Sequence, residues 1–152
     1  MTGPAATQYP ATHASLAAAR RHRAELLQVI QAFEIAIAVP ARDPGWRDRV
    51  HERLLALRDA FGEHVVVTEG PDGLYAELLE HSPRLMRSVH GLVREHAAIL
   101  GAIEGLTARV ASADIERLRG WSSDLLRELA RHRQRGADLV YEAYATDIGG
   151  ET

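Results

Sequence analysis

The sequence of 152 residues has no cysteine and no lysine, and it contains only two tryptophans and two phenylalanines. Without cysteine the chain can form no disulfide and offers neither a thiolate ligand nor a cysteine nucleophile. All 18 basic residues are arginines, and the net charge of -3 gives no basic surface for nucleic acid. No apolar run approaches the roughly 20 residues of a membrane span, and no signal pattern opens the sequence. We therefore expect a cytoplasmic protein with neither a membrane nor a nucleic-acid partner.

Apolar residues recur every three or four positions through most of the chain, which is the spacing of amphipathic helices. The predicted long helices run from Ser15 to Pro40, from Asp43-Pro44 to Glu69, from Ser82-Pro83 to about Val110, and from Asp114 to Ile148. A short extra helix is predicted over 73–80, after a Gly-Pro-Asp-Gly break that follows the second long helix. Four long helices with short connections are typical of an antiparallel, up-down four-helix bundle.

A chain of this length is enough for one domain with its own core. The small residues and prolines at the start predict a flexible tail over residues 1–12. The bundle is expected over 13–148, and a short C-terminal tail over 149–152.

Each of the four predicted apolar stripes contains one histidine, and the four are His22, His64, His96 and His132. A single histidine on an apolar face is more often a hydrogen-bonded core residue than a ligand. With a rise of about 1.5 Å per residue, however, the histidines of each antiparallel pair lie within roughly 6 Å in height. Imidazoles gathered in a bundle interior cannot all be charged, and a transition metal would bind their neutral nitrogens. The pattern therefore predicts a metal site.

Glu69 is the carboxylate that could complete this site. Five residues along an ideal helix rotate the chain by about 140°, so Glu69 and His64 do not share a face. Gly70 and Pro71 follow directly, and we expect the last helical turn to rewind there and bring Glu69 inward.

The segments RRHRAELL, EHVVVTEGPDGL, REHAAIL and LARHRQRGADLVYE contain these histidines, and with them the chain resembles the hemerythrin-like (HHE cation-binding) family over residues 15–144. The resemblance implies a four-helix bundle that holds a non-heme, often di-iron, centre for oxygen binding, storage or sensing. It also implies the iron ligands His22, His64, Glu69, His96 and His132.

Two positions depart from the full ligand set of that family. The positions four residues away from His96 are Leu92 and Leu100, so the paired histidine of the third helix is missing. On the fourth helix, Gly136 and Ala137 stand where an acidic residue is expected. Further residues that could contribute are Asp138, Glu128 and His90. A mononuclear site, an asymmetric two-metal site and a bundle that has lost its metal all remain open.

Three functions are compatible with these residues. The leading hypothesis is a protein that binds one or two non-heme iron ions and binds or senses a small molecule such as oxygen, nitric oxide or peroxide. The alternative is a metal-free helical interaction domain whose histidines pair with carboxylates, the candidates being Glu25, Glu69, Glu95 and Glu128. A second alternative is an iron-dependent oxidative or peroxidase-like enzyme.

Overall fold

The computed structural model describes the backbone of residues 4–150 and the side chains of residues 16–145. Over this part of the chain the fold is all helical and has no strand. The helices are α1 (Pro4–Ala38), α2 (Trp46–Glu69), α3 (Leu74–His81), α4 (Met86–Arg109) and α5 (Ile115–Gly150). The predicted helical bundle is confirmed, as is the short extra helix between the second and third long helices. The up-down order of the helices and the assignment of the bundle to the hemerythrin-like type remain predictions.

The long helices surround one main apolar core. Helix α1 packs on α2, α2 on α4, and α4 on α5, while α5 also contacts α1. The core side chains with no solvent exposure are Phe33, Leu54, Leu57, Phe61, Ile103, Leu118 and Leu129. A second, smaller apolar cluster lies under α3 and includes Leu74, Leu78, Leu92 and Leu139.

Local capping explains where α2 and α5 begin. The prediction that Asp43-Pro44 starts the second helix is wrong, because Asp43 belongs to a turn in which its carbonyl accepts the N–H of Trp46 at 3.1 Å. Gly45 then precedes α2 with φ +82°, a left-handed conformation that glycine adopts without a steric penalty. Asp114 caps α5, since its Oδ2 accepts the N–H of Arg117 at 3.3 Å.

Helix α1 begins at Pro4, well before the predicted start at Ser15. A proline in the first turn costs no hydrogen bond, and the alanines that follow favour a helix over the segment. The flexible tail over residues 1–12 and the C-terminal tail over 149–152 stay predictions. Residues 1–3 and 151–152 lie outside the described backbone. Across the described residues, none of the helices is both long enough and apolar enough to cross a bilayer.

The packing of α1 predicts a sharp contrast between two of its residues. Phe33 has 0% of its surface exposed, whereas Ile35 is 67% exposed. Phe33→Ala should lower the free energy of unfolding by about 3–5 kcal/mol, because it leaves a core cavity. Ile35→Ala, the matched control, should change it by no more than about 0.5 kcal/mol. Urea unfolding of both variants measures the difference, and equal effects would contradict this packing of α1.

Candidate metal centre

Three of the four predicted histidines meet in the interior. His64 of α2, His96 of α4 and His132 of α5 are 8%, 1% and 3% exposed. Each has a ring nitrogen within 4.8 Å of a ring nitrogen of the other two. Nε2 of His64 and Nε2 of His132 are 3.3 Å apart. We call these three residues the histidine triad.

The triad lies where the two apolar clusters meet. Phe61, Ile99 and Leu129, close to the three histidines in sequence, belong to the main core, whereas Leu92 and Leu139 belong to the cluster under α3. The ring of Phe61 lies 5.3, 5.6 and 5.7 Å from the rings of His64, His96 and His132. This apolar ring covers the side of the triad that faces the main core.

Carboxylates hold the outer nitrogens of two triad rings. Nδ1 of His96 lies 2.5 Å from Oε2 of Glu69, and Nδ1 of His132 lies 2.8 Å from Oε1 of Glu95. Glu95 also accepts a hydrogen bond from Arg135. Because a carboxylate can only accept, each Nδ1 carries the proton and each Nε2 presents a lone pair. The Nε2 lone pairs of His96 and His132 are therefore available to bind an ion within the triad.

A tyrosine from the short helix completes the ring of polar atoms. The hydroxyl of Tyr75 lies 3.4 Å from Nε2 of His96, and the phenol and imidazole rings are stacked at 5.8 Å with an angle of 13° between planes. Tyr75 is only 5% exposed. Burial raises the pKa of its phenol, so the hydroxyl is neutral, and its distance to Nε2 of His96 is longer than that of an ordinary hydrogen bond.

The triad imidazoles are kept neutral by their surroundings. Burial, followed by the neighbouring imidazoles, lowers the pKa of His64 to about 3, and burial lowers that of His96 to about 4. The pKa of His132 is also lowered by burial, although its hydrogen bond to Glu95 acts in the opposite direction. Burial raises the pKa of Glu95, but hydrogen bonds from His132 and Arg135 outweigh it and the net shift is downward. Neutral imidazoles beside an ionised carboxylate are the protonation states that metal binding requires.

Glu69 reaches the triad differently from the prediction. The expected rewinding of the last turn of α2 is wrong, because the N–H of Gly70 donates to the carbonyl of Val66 at 3.0 Å, as in a regular helix. Thr68, four residues after His64, takes the inward face and is 3% exposed, donating to the carbonyl of His64 at 2.8 Å. Glu69 therefore lies beside the outer nitrogen of His96 rather than among the Nε2 atoms. Its role as a direct ligand stays a prediction.

His22, the fourth predicted histidine, does not join the triad. Its side chain is 30% exposed, and its Nδ1 lies 3.8 Å from Glu25 and 4.0 Å from Glu63. These three residues form a separate group that could hold a cation. His22 nevertheless lines a small cavity of about 30 Å³ together with His64 and His132. It therefore lies beside the triad, on the side where α1 faces α5.

The remaining candidates lie on the outside of the bundle. Asp138 accepts a hydrogen bond from Gln134 at 2.8 Å, Glu128 pairs with Arg131 at 3.4 Å, and His90 is exposed. The structure brings none of the three into the triad.

Two residues of the site carry no strong sequence signal. The sequence suggests Glu95 only as a partner in the metal-free alternative, since it precedes His96 and is off the apolar stripe. It suggests Tyr75 only as part of a short helix. The signal that could have identified Tyr75 is its place beside Leu74 and Leu78 on the buried face of the short helix, where a hydroxyl needs a polar partner.

Comparison of the chain with models of known protein families, with curated proteins and with solved structures finds no match. Three lone-pair-bearing imidazoles, two of them held by carboxylates, can bind a borderline transition metal such as iron, zinc or copper.

The lowered pKa values predict that the metal-free protein loses stability in acid. The unfolded chain protonates these imidazoles near the ordinary histidine pKa of 6.5, whereas the folded protein resists protonation of His64 and His96 down to about 3 and 4. The unfolded state thus binds more protons in this window, so the free energy of unfolding falls as the pH drops below 6.5. At pH 5 the loss should be about 2 kcal/mol for each of the two groups.

Urea unfolding at pH 7 and pH 5 measures this loss, with chelator present to keep metal away. His96→Leu should remove the part of this loss in unfolding free energy that His96 contributes. His90→Gln, at an exposed position, should leave the loss unchanged. A metal-free protein that is equally stable at both pH values would contradict the buried, neutral state of the triad.

Proposed function

We propose that this chain is a metal-binding helical bundle in which the Nε2 atoms of His64, His96 and His132 bind one transition-metal ion. The residues present fit such an ion, since they supply three neutral nitrogen donors from three different helices. Imidazole is the commonest protein ligand for borderline metals.

The spacing of the inner polar atoms is the observation that supports this proposal most strongly. The pair His64–His132 is 3.3 Å apart and the pair Tyr75–His96 is 3.4 Å apart. Protein hydrogen bonds are mostly about 2.7–3.2 Å for nitrogen donors, and shorter for hydroxyls. A tetrahedral ion with bonds of about 2.0–2.1 Å separates its donor atoms by about 3.3–3.4 Å. The inner atoms are thus slightly far apart for hydrogen bonds and well spaced for a shared ion.

The outer atoms follow the opposite pattern. The contact from His132 to Glu95 is 2.8 Å, as expected for a charge-assisted hydrogen bond, and the contact from His96 to Glu69 is shorter, at 2.5 Å. Such carboxylates fix the orientation of a ligating ring and make its other nitrogen a stronger donor. We therefore assign Glu69 and Glu95 a positioning role.

We further propose that the ion is non-heme iron and that a small molecule such as oxygen, nitric oxide or peroxide reaches it. The resemblance to the hemerythrin-like family, with its antiparallel up-down bundle, supports this reading. When bound, iron would supply a position for a diatomic ligand. The cavity of about 30 Å³ beside His64 and His132 has room for a ligand of that size. Phe61 and the surrounding leucines would limit the entry of water.

The metal-free alternative has an observation in its favour. Three of the four candidate carboxylates lie beside a histidine, namely Glu25 beside His22, Glu69 beside His96, and Glu95 beside His132. Such pairs would satisfy buried imidazoles without an ion. This alternative gives no reason why ring nitrogens of three histidines lie within 4.8 Å of one another, so we rank it second.

Metal binding can be measured directly on the full chain. The protein is loaded anaerobically with ferrous iron or with zinc, desalted, and its metal content determined. We expect one retained ion per chain. His64→Ala and His132→Ala should each weaken binding by more than the roughly tenfold typical of a lost outer partner, because they remove a direct ligand. His90→Ala is the control and should bind as the unchanged protein does.

Failure of the unchanged protein to retain either metal would favour the metal-free domain. Retention of metal by the two triad variants, with undiminished affinity, would place the ion elsewhere.

Glu95 offers a separate test of the positioning role. Glu95→Gln keeps the size of the side chain but loses the charge that holds Nδ1 of His132 and pairs with Arg135. We expect metal affinity to fall by about 10- to 100-fold, with one ion still bound at saturation. Competition with a chromophoric chelator measures this. Glu128→Gln, on the outer surface of α5, should have no effect, and an equal fall in both variants would contradict the assignment.

A further inference from the structure

We propose that the hydroxyl oxygen of Tyr75 is the fourth protein ligand of the ion, which makes the site three imidazoles and one phenolate. The inference rests on the proposed metal-binding function of the triad. It adds to that function a ligand that is neither histidine nor carboxylate and that comes from the short helix α3.

The position of the hydroxyl carries the inference. Its oxygen lies 3.4 Å from Nε2 of His96, the separation expected for neighbouring ligands of a tetrahedral ion. The phenol ring is nearly parallel to the ring of His96, and its hydroxyl lies beside Nε2 rather than beside Nδ1, which contacts Glu69. Tyr75 also lines one cavity with His64 and His132. His96 does not line this cavity, but a ring nitrogen of His96 lies within 4.8 Å of ring nitrogens of His64 and His132, so the four candidate ligands lie close together.

The backbone before Tyr75 holds it in this place. A side chain at Gly73 would meet the carbonyl oxygens of Val67 and Thr68 at 2.5 and 2.9 Å, so α3 starts in close contact with the end of α2. Leu74 and Leu78 then anchor α3 in the smaller apolar cluster, at 6% and 0% exposure. Such a fixed element places the phenol without a large loss of side-chain entropy on binding.

The charge of the site gives a reason for a phenolate. Three imidazoles are neutral and contribute no negative charge, while the carboxylates of Glu69 and Glu95 are held at outer nitrogens. A divalent or trivalent ion buried with neutral ligands alone would pay a large desolvation penalty. On binding, the O–H bond of Tyr75 breaks, its oxygen bonds to the ion, and the proton is released to solvent. One negative charge then lies directly beside the ion.

The test compares Tyr75→Phe with Tyr141→Phe, a tyrosine that is 75% exposed on α5. The full-length proteins are loaded with ferrous iron without air and then oxidised. The unchanged protein and Tyr141→Phe should show the visible charge-transfer absorption of a ferric phenolate, and ring-deuterated tyrosine should shift its resonance Raman bands. Tyr75→Phe should lack this absorption while it still holds one iron. Its zinc affinity should be at least about tenfold weaker.

The outcomes separate this inference from the proposed function. The unchanged protein could hold one iron but show no tyrosine-dependent absorption, or Tyr75→Phe could keep both the absorption and the zinc affinity. Either result would show that Tyr75 is not a ligand, and it would leave the proposal of metal binding by the histidine triad unaffected. If the unchanged protein holds neither iron nor zinc, both proposals are overturned. Helix content and thermal unfolding of Tyr75→Phe check that the substitution leaves the fold in place.

Discussion

Three imidazoles share one small space in the core of this protein, and that space cannot hold their positive charges. Burial together with mutual repulsion keeps His64 and His96 neutral, with pKa values lowered to about 3 and 4. A neutral imidazole still has two nitrogens to satisfy, and the fold satisfies them unequally. Glu69 and Glu95 take the outer nitrogens of two rings. The inner nitrogens of His64 and His132 face each other, and that of His96 faces the hydroxyl of Tyr75. The proposed ion is the group that would satisfy all of these inner atoms together.

The rest of the bundle can be understood as support for that arrangement. Helices α2, α4 and α5 each contribute one ring, and the apolar clusters on either side fix the level at which the rings meet. Phe61 covers the triad from the main core, and α3 closes it from the other end. Helix α1 differs from the others, because His22 pairs with surface glutamates beside the triad. The site is therefore asymmetric, with three helices around the inner atoms and the fourth beside the cavity.

The sequence is informative where a single helix decides the outcome. Helical periodicity identifies the long helices and places His64, His96 and His132 on buried faces, and the extra helix follows from the Gly-Pro-Asp-Gly break.

The sequence is less informative where the packing of two helices against each other determines the position of a side chain. The height of the histidines along the bundle does not separate His22 from the others, because a side chain halfway to the surface can turn towards Glu63 of the neighbouring helix. Glu69 is expected at an inner position through a rewound turn, yet α2 stays regular to its end and Thr68 occupies that face. The positions of Tyr75 and Glu95 in the site depend on how α3 and α5 pack against the other helices. Helical periodicity carries no information about that packing.

X-ray absorption at the metal edge tests the central claim most directly, because it reports the ligands around the ion without a crystal. The unchanged full-length protein, loaded with one equivalent of iron or zinc, should show a first shell of nitrogen and oxygen atoms at about 2.0–2.1 Å. Multiple-scattering features should correspond to three imidazole rings, and they should diminish to two rings in His132→Ala. A shell of oxygen atoms with no imidazole scattering, or a spectrum identical to that of the ion in buffer, would contradict a metal site built on the histidine triad.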